Sequence, residues 1–124
     1  MAASSDEFRG IVRRAQGAWN AAFNRGDAAA VADLYTDDAI VLPPSHVFIK
    51  GAASIRGFWQ GLIAAGVKEH GLELIDAEAE GPLAFAAGRW WATGPGDERF
   101  DGSVVTVLRR QGDGSWPICL HTWN

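Results

Sequence analysis

The chain has 124 residues, 48% of them hydrophobic, and a formal net charge of -4 at pH 7. That is enough for one domain with its own core and too little for two of ordinary size. Acidic and basic residues are mixed without a Lys/Arg run, which argues against a nucleic-acid or anionic-membrane partner and favours a neutral or weakly polar small ligand.

Residues 1 to 5 are expected to fray. The opening MAASSDEF lacks the apolar segment of a signal peptide, and no apolar run approaches the roughly 20 residues that span a bilayer, so the expected location is the cytoplasm. Phe8, Ile11, Val12, Ala15, Ala18, Trp19, Ala22 and Phe23 recur at i, i+3, i+4 and i+7, which predicts a first helix with one face on a core. Gly26 ends it, and Asp27 caps a second, short helix whose buried face is Val31, Leu34 and Tyr35. Thr36, Asp37 and Asp38 read as a turn whose carboxylates accept backbone N–H bonds. Ile40 to Leu42 read as a strand, stopped by Pro43 and Pro44, with His46 on the connection that follows. Gly51 opens a third helix through Ile55, Phe58, Trp59, Leu62 and Ile63. Its Gly57 and Gly61 form a smooth strip suited to close backbone packing.

His70 is placed in a polar turn and assigned no function. From Leu72 the pattern turns to period two, and its phase slips between Leu74 and Ile75, as a bulge in a bent strand requires. Strands at 83–93 and 99–110 are joined through Gly94-Pro95-Gly96-Asp97. A turn at Gly112-Asp113-Gly114 leads into a last strand at 115–123. On that strand Cys119, His121 and Trp123 alternate about 7 Å apart and share one side, with Trp116, Ile118, Leu120 and Thr122 on the other. Trp90 and Trp91 are adjacent, so one points in and the other out, and parity alone does not say which. Cys119 is the one cysteine, so there is no internal disulfide and no metal-ligand pattern. Without a His/Asp/Glu cluster or a glycine-rich phosphate loop, no metal and no other cofactor is expected.

The segment from Trp19 to Pro44, WNAAFNRGDAAAVADLYTDDAIVLPP, and the ending GDGSWPICLHTWN together resemble the nuclear transport factor 2-like superfamily, which contains ketosteroid isomerase and the SnoaL-like polyketide cyclases. The resemblance extends over most of the chain. It implies a single domain over 1–124 of α+β class: three N-terminal helices packed on a strongly curved, mainly antiparallel sheet, a cone-shaped α+β barrel with a pocket at its open end. It also implies a homodimer through the outer sheet face, where Trp116, Ile118 and Leu120 are expected.

Relatives of this kind turn the side carrying Cys119, His121 and Trp123 inward. His121 then becomes the only histidine expected in the pocket, a general base or acid near neutral pH, since imidazole titrates at about 6.5. The alternative is a histidine that hydrogen-bonds within a partly apolar cavity. The three positions that carry ketosteroid isomerase chemistry fall by counting on Trp19, Pro43 and Thr106, none of which keeps the required side chain. That reaction is therefore not expected, although Trp19 and Thr106 retain hydrogen-bond donors. Counted without gaps from the relatives, Trp91 shares the inner face with Arg89 and Thr93; a one-residue change in the turn reverses this and puts Trp90 inside. The candidate ligand contacts are Trp19, Phe23, Tyr35, Trp59, Trp91, Thr106, Cys119 and Trp123. The function expected is binding of a small hydrophobic molecule; the alternative is an acid–base enzyme acting on a small carbonyl compound, with His121 moving the proton.

Overall fold

In the computed structural model, which describes residues 5–124, the first apolar stripe forms helix α1 (Ser5–Asn24), buried through Phe8, Val12, Trp19, Ala22 and Phe23. The expected fraying falls on residues 1–4, outside the described residues, and on Ser5, which is already helical. Gly26 takes the left-handed conformation, φ 78°, and its N–H and that of Asp27 return to the carbonyls of Phe23 and Ala22. The Asp27 carboxylate accepts the Ala30 N–H at 3.0 Å and caps α2 (Ala28–Ala32). That bond is the main reason its carboxyl is held below the usual range.

Tyr35 does not continue α2. It opens strand β1 (Tyr35–Leu42), and Thr36 to Asp38, expected as a turn, belong to that strand as well. The register against the last strand jumps between Tyr35 and Ile40, so the intervening residues bulge. Asp38 there accepts the Thr36 hydroxyl at 2.9 Å and pairs with Arg109 at 3.6 Å. Strand β2 (Ile49–Lys50) precedes α3 (Ala52–Ala65), which buries Ile55 and Trp59. Gly57 and Gly61 are exposed and a Cβ on either would meet nothing within 4 Å, so the expected packing strip faces solvent instead.

The remaining strands are β3 (Lys68–Glu80), β4 (Leu83–Thr93), β5 (Arg99–Arg109) and β6 (Ile118–Trp123). They complete a six-stranded sheet of order β2-β1-β6-β5-β4-β3, antiparallel throughout except for the β1–β6 pair. The sheet curls over the helices without closing, which is the α+β cone the sequence led us to expect. The bulge of β3 lies between Leu74 and Asp76, where the phase slips. A second bulge, between Lys68 and Gly71, holds Glu69 at φ 56° and turns His70 toward the interior.

A third bulge changes the last strand. Val107 faces Leu120 while Leu108 faces Ile118, so Cys119 is an extra residue without a partner on β5. Ile118 and His121, which strict alternation would put on opposite sides, therefore both point inward. Trp116 follows them, meeting the Phe8 ring edge-on at 5.1 Å. The expectation that Trp116 and Ile118 lie on the outer face is overturned by this bulge. The outer face is apolar through Phe85 and Val105, 38% and 39% exposed, with half-buried Val107 and Leu120 beside them.

Two apolar clusters result. One gathers Trp19, Phe23, Val31, Tyr35, Val41, Ile55 and Trp59 between the helices and β1. The other gathers Phe8, Val12, Ala77, Ala84, Ala86 and Leu108 under the first half of α1.

Candidate functional site: two histidines between two cavities

His121 is the one polar or charged side chain among the described residues that the core buries, at 8% exposure. Its Nδ1 lies 2.7 Å from the Tyr35 hydroxyl, and that oxygen accepts the Trp19 indole N–H at 3.1 Å. The Trp59 indole is close enough to favour the phenolate form but falls short of a formed bond, and its buried N–H is left without a partner. The Trp19 indole can only donate, so it takes a lone pair of the phenol oxygen, and the phenol proton has His121 Nδ1 as its acceptor. This pattern assigns His121 the tautomer that carries its proton on Nε2. Burial raises the Tyr35 phenol, so the group stays neutral. Burial also lowers His121 to about 3, with His70 contributing further. The imidazole is therefore neutral at physiological pH. Burial thus opposes a base titrating near pH 7, the role expected from sequence.

His70 lies against the same Trp19 ring, centroids 4.6 Å apart, with Phe23 at 5.6 Å and Trp90 at 6.3 Å. Its backbone N–H and C=O are both held by the Asn24 side chain, at 2.8 and 3.0 Å. Its Nδ1 meets Asn20 Oδ1 at 2.8 Å. An amide oxygen only accepts, so the His70 proton is on Nδ1 and the lone pair on Nε2. Burial lowers this imidazole to about 4. His121 is therefore not alone in the interior, and His70 lies in a strand bulge facing the cavities, not in a polar turn.

Two cavities flank this pair. The first, about 290 Å³, is bounded by α1, the inner faces of β4 and β5 and the start of β6, including Gln16, Trp19, Thr106, Leu108, Trp116 and Ile118. The second, about 450 Å³, is bounded by Phe23, Pro43, Pro44, Phe58, Trp59, Trp90, Phe100 and Trp123. His70, Leu72, Val104 and His121 belong to both. Thr106 pairs with His121 across the strands, and both line the smaller cavity.

Of the candidate contacts, Trp19 and Thr106 line the smaller cavity, and Phe23, Trp59 and Trp123 the larger. Tyr35 lines neither and acts from behind His121. Cys119 occupies the bulge, near Arg109 and Asp38 and away from both cavities; partial burial raises its thiol. Trp91 is on the outer face, packed over Gly71, where a Cβ would lie 2.3 Å from the ring, with the Arg99 guanidinium 5.8 Å from it. Trp90 takes the inner place. His46 is exposed at φ 68° in a turn beside the larger cavity and does not line it. His70, Trp116 and Phe100 have no place among the pocket residues expected from sequence, and Trp90 stands there only as the alternative to Trp91. No group of three or more metal-ligating side chains occurs among the described residues, and none of the described helices is long and apolar enough to cross a membrane.

Residues 17–116 match the SnoaL-like domain family. No curated protein matches the chain. Among solved structures, a ketosteroid isomerase-like protein from Erwinia carotovora atroseptica aligns with TM-score 0.76 and 21% identity over 92% of each chain. A nuclear transport factor 2-like protein with a cystatin-like fold from Novosphingobium aromaticivorans gives 0.77 and 20%, over 93% of this chain and 79% of that one. A nuclear transport factor 2-like protein of unknown function from Shewanella oneidensis gives 0.80 and 14%, over 93% and 97%. At these identities the likeness concerns the fold and leaves the chemistry to the side chains.

Proposed function

Because this chain belongs to the SnoaL-like domain family, we propose that its cone binds a small, mostly apolar molecule through one carbonyl oxygen set against His121. The observation that carries this reading is the Trp19–Tyr35–His121 chain, which uses two buried groups to leave a neutral imidazole with its Nε2–H free for the cavities. A donor held in place before the ligand arrives costs no reordering on binding, and the apolar walls supply the rest of the affinity. Thr106, its cross-strand neighbour, offers a hydroxyl to the smaller cavity as a second polar group. The alternative, an acid–base enzyme with His121 as the proton-transfer group, is less well supported. Its Nδ1 is engaged, and burial keeps the ring from gaining a proton near pH 7.

Tryptophan fluorescence titration with 2-tetralone, and with the hydrocarbon tetralin as control, tests the reading. His121→Phe keeps a flat ring and removes the donor. It should weaken 2-tetralone about tenfold, the worth of roughly one hydrogen bond, and leave tetralin unchanged. Equal losses for both compounds would mean that His121 only fills space.

The same reading includes pairing of two copies through the outer sheet, where Phe85 and Val105 leave apolar surface exposed. Light scattering should then return twice the mass of the chain, and Phe85→Glu should return the mass of one. A monomeric unsubstituted protein at micromolar concentration would remove this part of the proposal.

A further inference from the structure

The two histidines at the shared wall have opposite hydrogen-bonding polarity. His121 is fixed by Tyr35 as a donor at Nε2, and His70 is fixed by Asn20 as an acceptor at Nε2. Neither Nε2 has a protein partner among the described residues, and both rings border both cavities. The other two shared residues, Leu72 and Val104, are apolar. Among the residues shared by both cavities, polarity is thus confined to one donor and one acceptor. Each cavity also reaches its own exposed rim: Asp33 and Ser115 on the smaller, Pro44, Ser45 and Phe100 on the larger.

From this arrangement we infer that the two cavities are lobes of one binding site whose ligand is apolar at both ends and carries a hydroxyl and a carbonyl at its centre. The carbonyl accepts from His121 Nε2–H, and the hydroxyl donates to His70 Nε2. His70 is the specificity-determining residue, because an unpartnered acceptor inside an apolar wall favours a ligand that brings a proton donor over one that does not. The inference deepens the carbonyl-binding reading and rests on it.

Benzoin has this form, with a phenyl ring on either side of adjacent carbonyl and hydroxyl groups. Deoxybenzoin lacks the hydroxyl, and 2-hydroxyacetophenone lacks one ring. Calorimetric titration of the full chain should give one benzoin per chain, bound about tenfold more tightly than deoxybenzoin, the contribution of one hydrogen bond. It should also bind more tightly than 2-hydroxyacetophenone, since filling the second lobe buries another ring. His70→Phe should erase the preference for benzoin over deoxybenzoin while leaving deoxybenzoin affinity within about threefold. If that variant fails to fold, Asn20→Leu, which removes the acceptor holding Nδ1–H, should shrink the same preference.

Two benzoin molecules per chain would show separate sites, and equal affinity for 2-hydroxyacetophenone would show a single lobe in use. Either outcome overturns the inference. So does a benzoin preference that persists in a folded His70→Phe protein. If 2-tetralone binds and benzoin does not, the two-lobed site falls and the carbonyl reading stands; if neither binds, both fall.

Discussion

Trp19→Ala should lower the unfolding free energy by about 3–5 kcal/mol, in the upper range for removal of a buried aromatic ring. The Trp19 ring is 3% exposed and joins the elements that form the cone. It stacks on Phe23 at 5.3 Å, meets Trp59 edge-on at 4.9 Å, and lies 4.6 and 6.1 Å from the two histidine rings. Its N–H also goes to Tyr35, so truncation removes the donor bonded to the phenol oxygen beside His121. Urea unfolding should show an earlier midpoint at unchanged slope. A loss below about 1 kcal/mol would mean that Trp19 merely borders open space, contrary to what its contacts imply.

Acid should destabilise the fold well before the carboxylates titrate. The folded protein holds His121 neutral down to about 3, while the unfolded chain protonates this imidazole near 6.5. Below that value the unfolded state binds more protons, so stability falls with falling pH. The effect is absent at pH 7.5, amounts to about 2 kcal/mol from His121 at pH 5, and keeps growing until the folded-state value is reached. His70, lowered to about 4, acts in the same direction and by less, being only partly buried. The third titratable group bordering the cavities is Asp33, on the exposed rim. Asp27, Asp38 and Asp113, whose carboxyls are held low by hydrogen bonds, contribute only at more acidic pH. Chemical denaturation at pH 7.5, 6 and 5 measures the slope. His121→Gln, which hydrogen-bonds but does not titrate, should flatten it; an unchanged slope would place the proton uptake elsewhere.

The helices and long hairpins were legible because their signals are local. The stripe from Phe8 to Phe23, the Gly26-Asp27 break and the glycine turns each act within a few residues of themselves. The Leu74–Ile75 bulge was legible as well, since an abrupt change of phase can be seen within one strand. What escaped was whatever depended on a partner strand. The bulge at Cys119 leaves no trace in an alternating pattern and exists only as an offset against β5. His70 faces inward because Glu69 adopts a left-handed backbone next to a register shift, and glutamate does not advertise that conformation. The inside place went to Trp90 instead of Trp91 through a single-residue difference in counting, which reverses every side chain of a strand. Histidine chemistry escaped for a further reason. The residue type suggested titration near neutral pH, while depth and the Tyr35 contact decide the protonation state, and neither is written at position 121.

The extra residue at Cys119 also has an evolutionary reading. Because it interrupts the alternation between Ile118 and His121, the inward positions are even-numbered on one side of it and odd-numbered on the other. Loss of this single codon would close the bulge and leave Trp116, Ile118, His121 and Trp123 on one side of a regularly alternating strand. A chain of this fold without the extra residue can thus furnish the same interior, and ungapped comparison with it, anchored on the histidine, will pair residues that occupy opposite sides of the same wall.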